Sequence, residues 1–325
     1  MRAAIYRSKG PAAEVLRIEQ RPVPEPGPGE VRVRVALSGV NPSDVKSRAG
    51  TSSRPSGFAE TVPHSDGAGV VEALGAGAPD ALLGRRVWVY NAQWERPFGT
   101  AAEYVALPAA QAVPLADGVP LEVGASIGIP LMTAFHAVQA CGSLLGQTVL
   151  VPGAAGSVGF YAAQLARRAG ARVIASVSSA EKAAIARSAG AADTVDYRQE
   201  DLVQRVRALT GGQGADAILD VDAGTHAPHY GQLLRFGGKA VVYGSNTPEL
   251  RLPFGPAIVG FLSVYCFMVY RLPPQAMAEA IEGVTRLLDD PTLRHPPVRV
   301  FDLEQIVAAH ERVEQGADAK VLVRL

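Results

Sequence analysis

Apolar and charged residues alternate strictly over Val31–Val35 (VRVRV), the period of a strand with one face in a core and the other in water. The segment before it, Pro22–Glu30 (PVPEPGPGE), is dense in proline and glycine and predicts a turn-laden loop. Asp66–Ala73, Arg86–Tyr90 and Thr100–Ala106 repeat the strand texture, so the first 120 or so residues read as β-rich. The texture changes near residue 120. Leu121–Cys141 has helical spacing and few charges. Thr148–Val151 is a short apolar strand, followed by a glycine turn and a helix over Ser157–Ala169. Arg172–Val177 predicts a second strand and Ala180–Ala189 a second helix, with later strands at Asp216–Val221 and Lys239–Tyr243. Apolar strands alternating with helices imply βαβ units and a doubly wound parallel sheet, so the fold class is α/β. Asp302 predicts the cap of a helix running to about Glu314, with Gly316 as its stop. Lys320–Arg324 then alternates like a final strand with no helix after it, which suits a return to the β-rich part.

The chain of 325 residues is long enough for two domains at roughly 150 residues each. Its 31 basic and 31 acidic residues cancel, and 48% of the chain is hydrophobic, which excludes a disordered chain and argues against nucleic-acid binding through a bulk positive field. Two cysteines, Cys141 and Cys266, are too few for a disulfide framework or a four-cysteine zinc site. The N-terminus lacks the apolar run of a secretory signal. The uncharged stretch Leu252–Tyr270 approaches the length of a membrane span, but Pro253, Gly255, Pro256 and Gly260 interrupt it. It is expected instead to form a buried pocket wall or a subunit interface, in a cytoplasmic, reduced protein.

The strongest chemical signal is VLVPGAAGSVG, Val149–Gly159, with glycines at 153, 156 and 159 between a strand and a helix. Glycines there permit a tight turn and close approach of a pyrophosphate, which meets free N–H groups and the positive end of the helix dipole. Gly153, Ala154, Ala155, Gly156, Ser157, Val158 and Gly159 are therefore expected to hold a dinucleotide. The same pattern without a ligand would be a tight strand–helix turn. An NAD site places an acid about 20 residues on, at the tip of the second strand. Here that strand ends Ala175-Ser176-Val177-Ser178-Ser179, with Lys182 one turn later and Tyr197 after the next short strand. Ser178, Lys182 and Tyr197 suit a 2′-phosphate, so NADPH is the expected cofactor, with Glu181 a mild complication.

The segments SGVNPSDVKSRAG (Ser38–Gly50), PHSDGAGVVEALGAG (Pro63–Gly77), GTAAEYVALP (Gly99–Pro108), GAAGSVG (Gly153–Gly159) and AHERVEQGADAKVLV (Ala309–Val323) span nearly the whole chain in order. Together they resemble the zinc-independent quinone oxidoreductases, the zeta-crystallin-like group of the medium-chain dehydrogenase/reductase superfamily. The resemblance implies a GroES-like β-barrel domain from residues 1–120 and 295–325, a Rossmann domain from 121–294 inserted between them, and an active site in the cleft. Zinc-dependent relatives carry Cys where Asn41 stands and His-Glu where His64-Ser65 stands, so no metal is expected.

Without a Lewis acid, alkoxide formation lacks support, whereas a quinone or enone accepts hydride at carbon and spreads the charge onto oxygen. The resemblance places Asn41 and Asp44 beside the nicotinamide. Asn41 is expected to donate a hydrogen bond that orients acceptor or ribose, and Asp44 to fix the loop; Asn-Pro-Ser-Asp is equally sound turn chemistry. It also places Thr133, Gly244, Ser245 and Phe254 at the nicotinamide end, and Trp94 and Phe98 on the acceptor side, with core packing as the ordinary reading of each. Two features depart from superfamily patterns. The Thr51–Val62 loop has no tyrosine of the kind enoyl-thioester reductases use as proton donor, and Glu314-Gln315-Gly316 lacks a basic residue for the 2′-phosphate. The leading expectation is NADPH-dependent quinone reduction by a homodimer, its proton coming from solvent or a bound water. Reduction of activated C=C bonds (enones, enals or polyketide-type intermediates) and a non-catalytic NADPH-binding role stand as alternatives.

Overall fold

The computed structural model describes residues 1–52, 57–316 and 318–325. Residues 53–56, part of the Thr51–Val62 loop noted for lacking tyrosine, lie outside the described residues, as does 317. The strands are β1 (Arg2–Ile5), β2 (Arg17–Gln20), β3 (Glu30–Val40), β4 (Asp66–Leu74), β5 (Arg86–Val89), β6 (Tyr104–Pro108), β7 (Ala112–Pro114), β8 (Thr148–Pro152), β9 (Arg172–Val177), β10 (Asp193–Asp196), β11 (Ala215–Asp220), β12 (Leu234–Val242), β13 (Ser263–Cys266), β14 (Val298–Asp302) and β15 (Lys320–Arg324). They fall into two compact units, residues 1–129 with 297–325, and 130–296.

The first unit is a seven-stranded sheet in the order β14-β15-β3-β4-β5-β7, with β6 also on β3, beside a β1–β2 ribbon. β3 is its spine. The first half of β3 pairs β6, its second half pairs β15, and β4 runs antiparallel along its whole length. Register shifts at Arg32/Val33 and Val35/Leu37 bend it. Val31, Val33 and Val35 point into one core with Val71, Val87, Val89 and Val105, while Arg32 and Arg34 face out. Beyond Leu37 the alternation stops and both faces are buried, so the polar Ser38 has to find its partners inside the protein.

The second unit is a six-stranded, all-parallel sheet in the order β10-β9-β8-β11-β12-β13. Its central strands are covered on both faces and are nearly continuous in apolar residues, as in TVLVP and RVIASV. Strand order reverses between β8 and β11, the position where open α/β sheets bind ligands beyond their C-terminal ends. The segment Leu252–Tyr270 forms a short helix, Phe254–Val259, and the edge strand β13, and its large apolar side chains are mostly exposed rather than buried. Among the described residues no single helix is long and apolar enough to cross a membrane.

Candidate functional site

In the second unit β8 runs straight into the glycine turn. Gly153 has φ +66°, a conformation L side chains rarely adopt, and its N–H donates to Ser176 O at 3.1 Å. Gly156 N–H closes the turn onto Gly153 O at 2.9 Å. A Cβ on Gly159 would lie 2.4 Å from Gly153 O, so only glycine lets the helix Ser157–Arg168 start this close to the strand. No side chain caps that helix. The N–H groups of Ala154, Ala155, Ser157, Val158 and Gly159 have no protein acceptor among the described residues. Five such donors at the positive end of a helix form an anion cradle.

At the tip of β9, Ser178 is buried, and Ser179 caps the helix Ala180–Ser188, its Oγ accepting from Lys182 N at 3.2 Å. Tyr197 lies beside this tip, its N–H donating to Val177 O at 3.1 Å and its ring exposed. The nearby acid Asp196 accepts from Arg198 N–H (3.1 Å) and Gln199 Nε2 (3.0 Å), within its own turn. Glu181 is contacted by Ser179 Oγ at 3.4 Å. Ser178, Lys182 and Tyr197 are thus brought together at one strand edge.

Past β12, Gly244 packs so tightly that a Cβ would lie 2.4 Å from Val221 O. Ser245 Oγ accepts from Gly224 N–H at 3.2 Å. Asp222 holds the same loop, accepting from Asn246 N–H (2.8 Å) and Asn246 Nδ2 (3.0 Å). Behind it, buried Asp220 accepts from Tyr230 OH (2.7 Å) and meets His226 Nδ1 at 2.8 Å. These aspartates carry no sequence signal beyond their place after an apolar strand. Thr133 is buried on the helix Pro130–Cys141, and Phe254 is exposed at the start of its helix.

In the first unit, Asn41 follows β3 and caps the helix Pro42–Ala49, with Pro42 at its first position. Asp44 Oδ2 accepts the Asn41 N–H at 2.8 Å. Asn41's amide is also engaged. Its Oδ1 accepts from Lys320 Nζ at 2.7 Å and its Nδ2 donates to Asp66 Oδ2 at 2.8 Å, which leaves one amide hydrogen. Lys320 is fully buried and satisfies all three ammonium hydrogens, with Asn41 Oδ1, Asp66 Oδ2 at 3.0 Å and Val40 O at 3.2 Å. Burial pushes the Asp66 carboxyl up, and Lys320 and Asn41 pull it back. Trp94 is half-buried and Phe98 exposed on the loop between β5 and β6.

A second buried network reaches the same aspartate. Thr100 Oγ1 bonds the Asp66 backbone oxygen, which can only accept. Ser38 Oγ (2.7 Å) must then donate to Thr100, and His64 Nδ1 (2.8 Å) to Ser38. His64 Nε2 is left as acceptor, so His310 Nε2, 2.9 Å away, donates to it. One carbonyl thus orients four donors. Both rings are neutral. Burial drives His64 well below its ordinary value, and burial beside Arg48 pushes His310 down to about 3. Neither His64 nitrogen is open to a metal, and Asn41 Oδ1 faces an ammonium, so these residues do not fit a catalytic zinc. The sequence does not announce Lys320, Asp66 or His310 as partners.

Lys320→Met leaves an uncompensated buried carboxylate and should cost about 3–5 kcal/mol, with Lys320→Met/Asp66→Asn recovering part of it, read by urea unfolding. Because both folded histidines resist protonation, the unfolded chain binds more protons below its ordinary value of about 6.5. Stability should therefore fall as pH drops below about 6.5, by up to about 1.4 kcal/mol per pH unit for each ring. Urea midpoints at a series of pH values check this, and His310→Gln should shallow the decline.

Two family models match the chain, the alcohol dehydrogenase GroES-like domain over residues 27–117 and the zinc-binding dehydrogenase over 157–286. The quinone oxidoreductase of Homo sapiens is 30% identical over 328 residues, 98% of this chain and 95% of its own length. A solved NAD-dependent alcohol dehydrogenase superposes with a TM-score of 0.86 at 31% identity, over 100% of both chains. The quinone oxidoreductase from Thermus thermophilus, also solved in complex with NADPH, superposes with a TM-score of 0.79 at 29% identity, again over 100% of both chains. With its GroES-like first unit and its Rossmann-type second unit, this chain belongs to the quinone oxidoreductase family of the medium-chain dehydrogenase/reductase superfamily.

Proposed function

We propose that the protein is an NADPH-dependent, metal-independent oxidoreductase of the cytoplasm that transfers hydride to a quinone. The observation that carries this reading is the set of five unpartnered N–H groups on Ala154, Ala155, Ser157, Val158 and Gly159, beside a β9 tip that bears Ser178 and Lys182 instead of an acid. The NADPH complex of the Thermus thermophilus relative supports it. The alcohol dehydrogenase neighbour is named for NAD, so the preference for NADPH rests on the strand tip of this chain. When bound, the reduced nicotinamide supplies the hydride. Residues 153–159 hold the pyrophosphate, and Ser178, Lys182 and Tyr197 surround the 2′-phosphate. Thr133, Gly244, Ser245 and Phe254 serve the nicotinamide end. Asn41 orients acceptor or ribose with its remaining amide hydrogen, Asp44 fixes its loop, and a water delivers the proton. The lysine–asparagine contact supports metal independence, since a fixed ammonium repels a dication at the same oxygen.

NADPH oxidation with a panel of quinones, with metal analysis of the same sample, tests the reading. Saturable quinone turnover in metal-free protein is expected. Turnover of enones alone would favour reduction of activated C=C bonds, and tight NADPH binding with no turnover would favour a structural or sensory role. Lys182→Ala should raise KM for NADPH about tenfold, equivalent to about 1.4 kcal/mol, with KM for NADH and kcat little changed.

A homodimer is part of the proposal. β13 is an edge strand, and beside it Phe254, Ile258, Val259 and Phe261 are exposed, with Phe261 stacked on exposed Phe236 at 5.8 Å. An apolar sheet edge of this kind suits isologous pairing with a second copy. Light scattering should give twice the 34.0 kDa chain mass, and Val259→Asp/Phe261→Asp should give the single chain. A 34.0 kDa species for the unaltered protein would overturn the dimer.

A further inference from the structure

Four arginines, Arg167, Arg168, Arg187 and Arg294, line one cavity of about 430 Å³ in the second unit, together with Gln164 and Thr292. The volume lies within the range of small-molecule pockets, roughly 300–1,000 Å³. The cavity is remote from the glycine turn. Arg167 and Arg168 close the C-terminal end of the helix Ser157–Arg168, whose first residue borders that turn, so about 15 Å of helix lies between them. Arg187 ends the next helix in the same sense, at the opposite end from Ser178 and Lys182.

Charge is the notable property of this wall. Among the described residues only Arg168 has a carboxylate partner, Asp290 at 2.7 Å. Arg167, Arg187 and Arg294 have none, in a chain whose formal charge is zero. Basic side chains at helix C-termini offset the dipole, and these do so in part. Arg294 Nη1 donates to Ser188 O at 3.2 Å and Arg167 Nη1 to Gly190 O at 3.4 Å, while Arg187 Nη2 donates to Thr194 Oγ1 at 2.6 Å. Each of these guanidiniums commits one of five donors and keeps the rest. Capping two helix ends does not need a concave wall of four.

The four arginines are exposed, but parts of the wall are anchored. Buried Gln164 clamps the Arg294 backbone from both sides, Nε2 to O at 2.9 Å and N to Oε1 at 2.8 Å. Asp290 and Thr292 Oγ1 (3.0 Å) fix the Arg168 fork. Gly190, at φ +105°, leaves room for the Arg167 stem, which a Cβ would meet at 2.6 Å.

We infer that this cavity is a second anion site, which binds a small phosphate-bearing molecule separately from the dinucleotide. Arginine forks match the oxygens of a phosphate in pairs, and three unneutralised guanidiniums suit an anion carrying two or more charges. The inference does not rest on the identity of the hydride acceptor.

Pyrophosphate is the probe, titrated calorimetrically into the NADPH-saturated protein at ionic strength matched with sodium chloride. One saturable site per chain is expected. Arg187→Gln/Arg294→Gln should weaken it at least about tenfold while NADPH affinity stays the same, and Arg167→Gln alone should weaken it in the same direction. The retained NADPH affinity doubles as the folding control. Absence of saturable binding, binding unchanged in the double variant, or citrate binding as tightly as pyrophosphate would each overturn the assignment.

Discussion

The buried pair of Asp66 and Lys320 is the constraint around which the first unit is organised. A carboxylate and an ammonium taken out of water are costly unless every oxygen and hydrogen finds a partner. Here convergence offsets the cost at one carboxylate oxygen and at all three ammonium hydrogens. β4 supplies the carboxylate, β15 the ammonium, and the end of β3 the Asn41 amide and the Val40 carbonyl. The pair therefore fixes where the final strand docks and which way Asn41 faces. The backbone of the same aspartate sets the donor order through Thr100, Ser38, His64 and His310. A change at any of these positions reaches the others through Asp66, and this kind of coupling is expected of buried polar networks.

The second unit uses polar groups in the opposite way. In the first unit the donors that converge on Asp66 are turned inward and matched. Around Gly153–Gly159 the donors are left open at the rim of the sheet, and Gly153 and Gly159 permit the tight turn and the close approach of helix to strand that present them. Asp222 and Asp220 supply a matched part of this unit, tying the loops that follow β11 and β12. Saturated polar groups therefore hold structure, and unsaturated ones at a strand–helix turn mark where a ligand fits. The arginine-lined cavity shows the same contrast at the other end of the helices.

Much of the fold could be read locally. The alternation VRVRV lies within β3, the apolar runs of β8 and β9 have nearly the expected bounds, and Asp302 and Gly316 bracket the last helical segment. Each of these signals comes from residues adjacent in sequence. The pairings that organise the first unit do not. Asp66 and Lys320 are 254 residues apart, and His64 and His310 are 246 apart, so neither has a local pattern. Lys320 reads as an ordinary polar position on an alternating strand, yet its side chain turns inward. Leu121–Cys141 keeps helical spacing throughout, but the structure breaks it at Gly128, where a Cβ would meet Val89 O at 2.5 Å. β13 was hidden because its run is uncharged at every position, with no period to separate strand from helix. The Asn-Pro-Ser-Asp segment served two readings for a physical reason, since the hydrogen bonds of a good helix cap are also those that hold a polar side chain still.

The ammonium beside Asn41 also bears on chemistry. It is a fixed positive charge with no vacant orbital, so it can polarise the amide but cannot accept an electron pair from an alkoxide. A zinc ion does both and lowers the pKa of what it binds. Under the proposed reading, the demand for electrophilicity therefore passes from the protein to the acceptor. A conjugated carbonyl meets that demand itself, because hydride arriving at carbon leaves the charge delocalised onto oxygen. Asn41 then has only to hold the partners in place through an amide whose orientation the lysine has set. Positioning by a rigid hydrogen-bonded group is worth most when the chemistry needs little further help. Under the proposed reading, the network that does not suit a metal in this place gives an acceptor of that class what it still needs, a fixed amide.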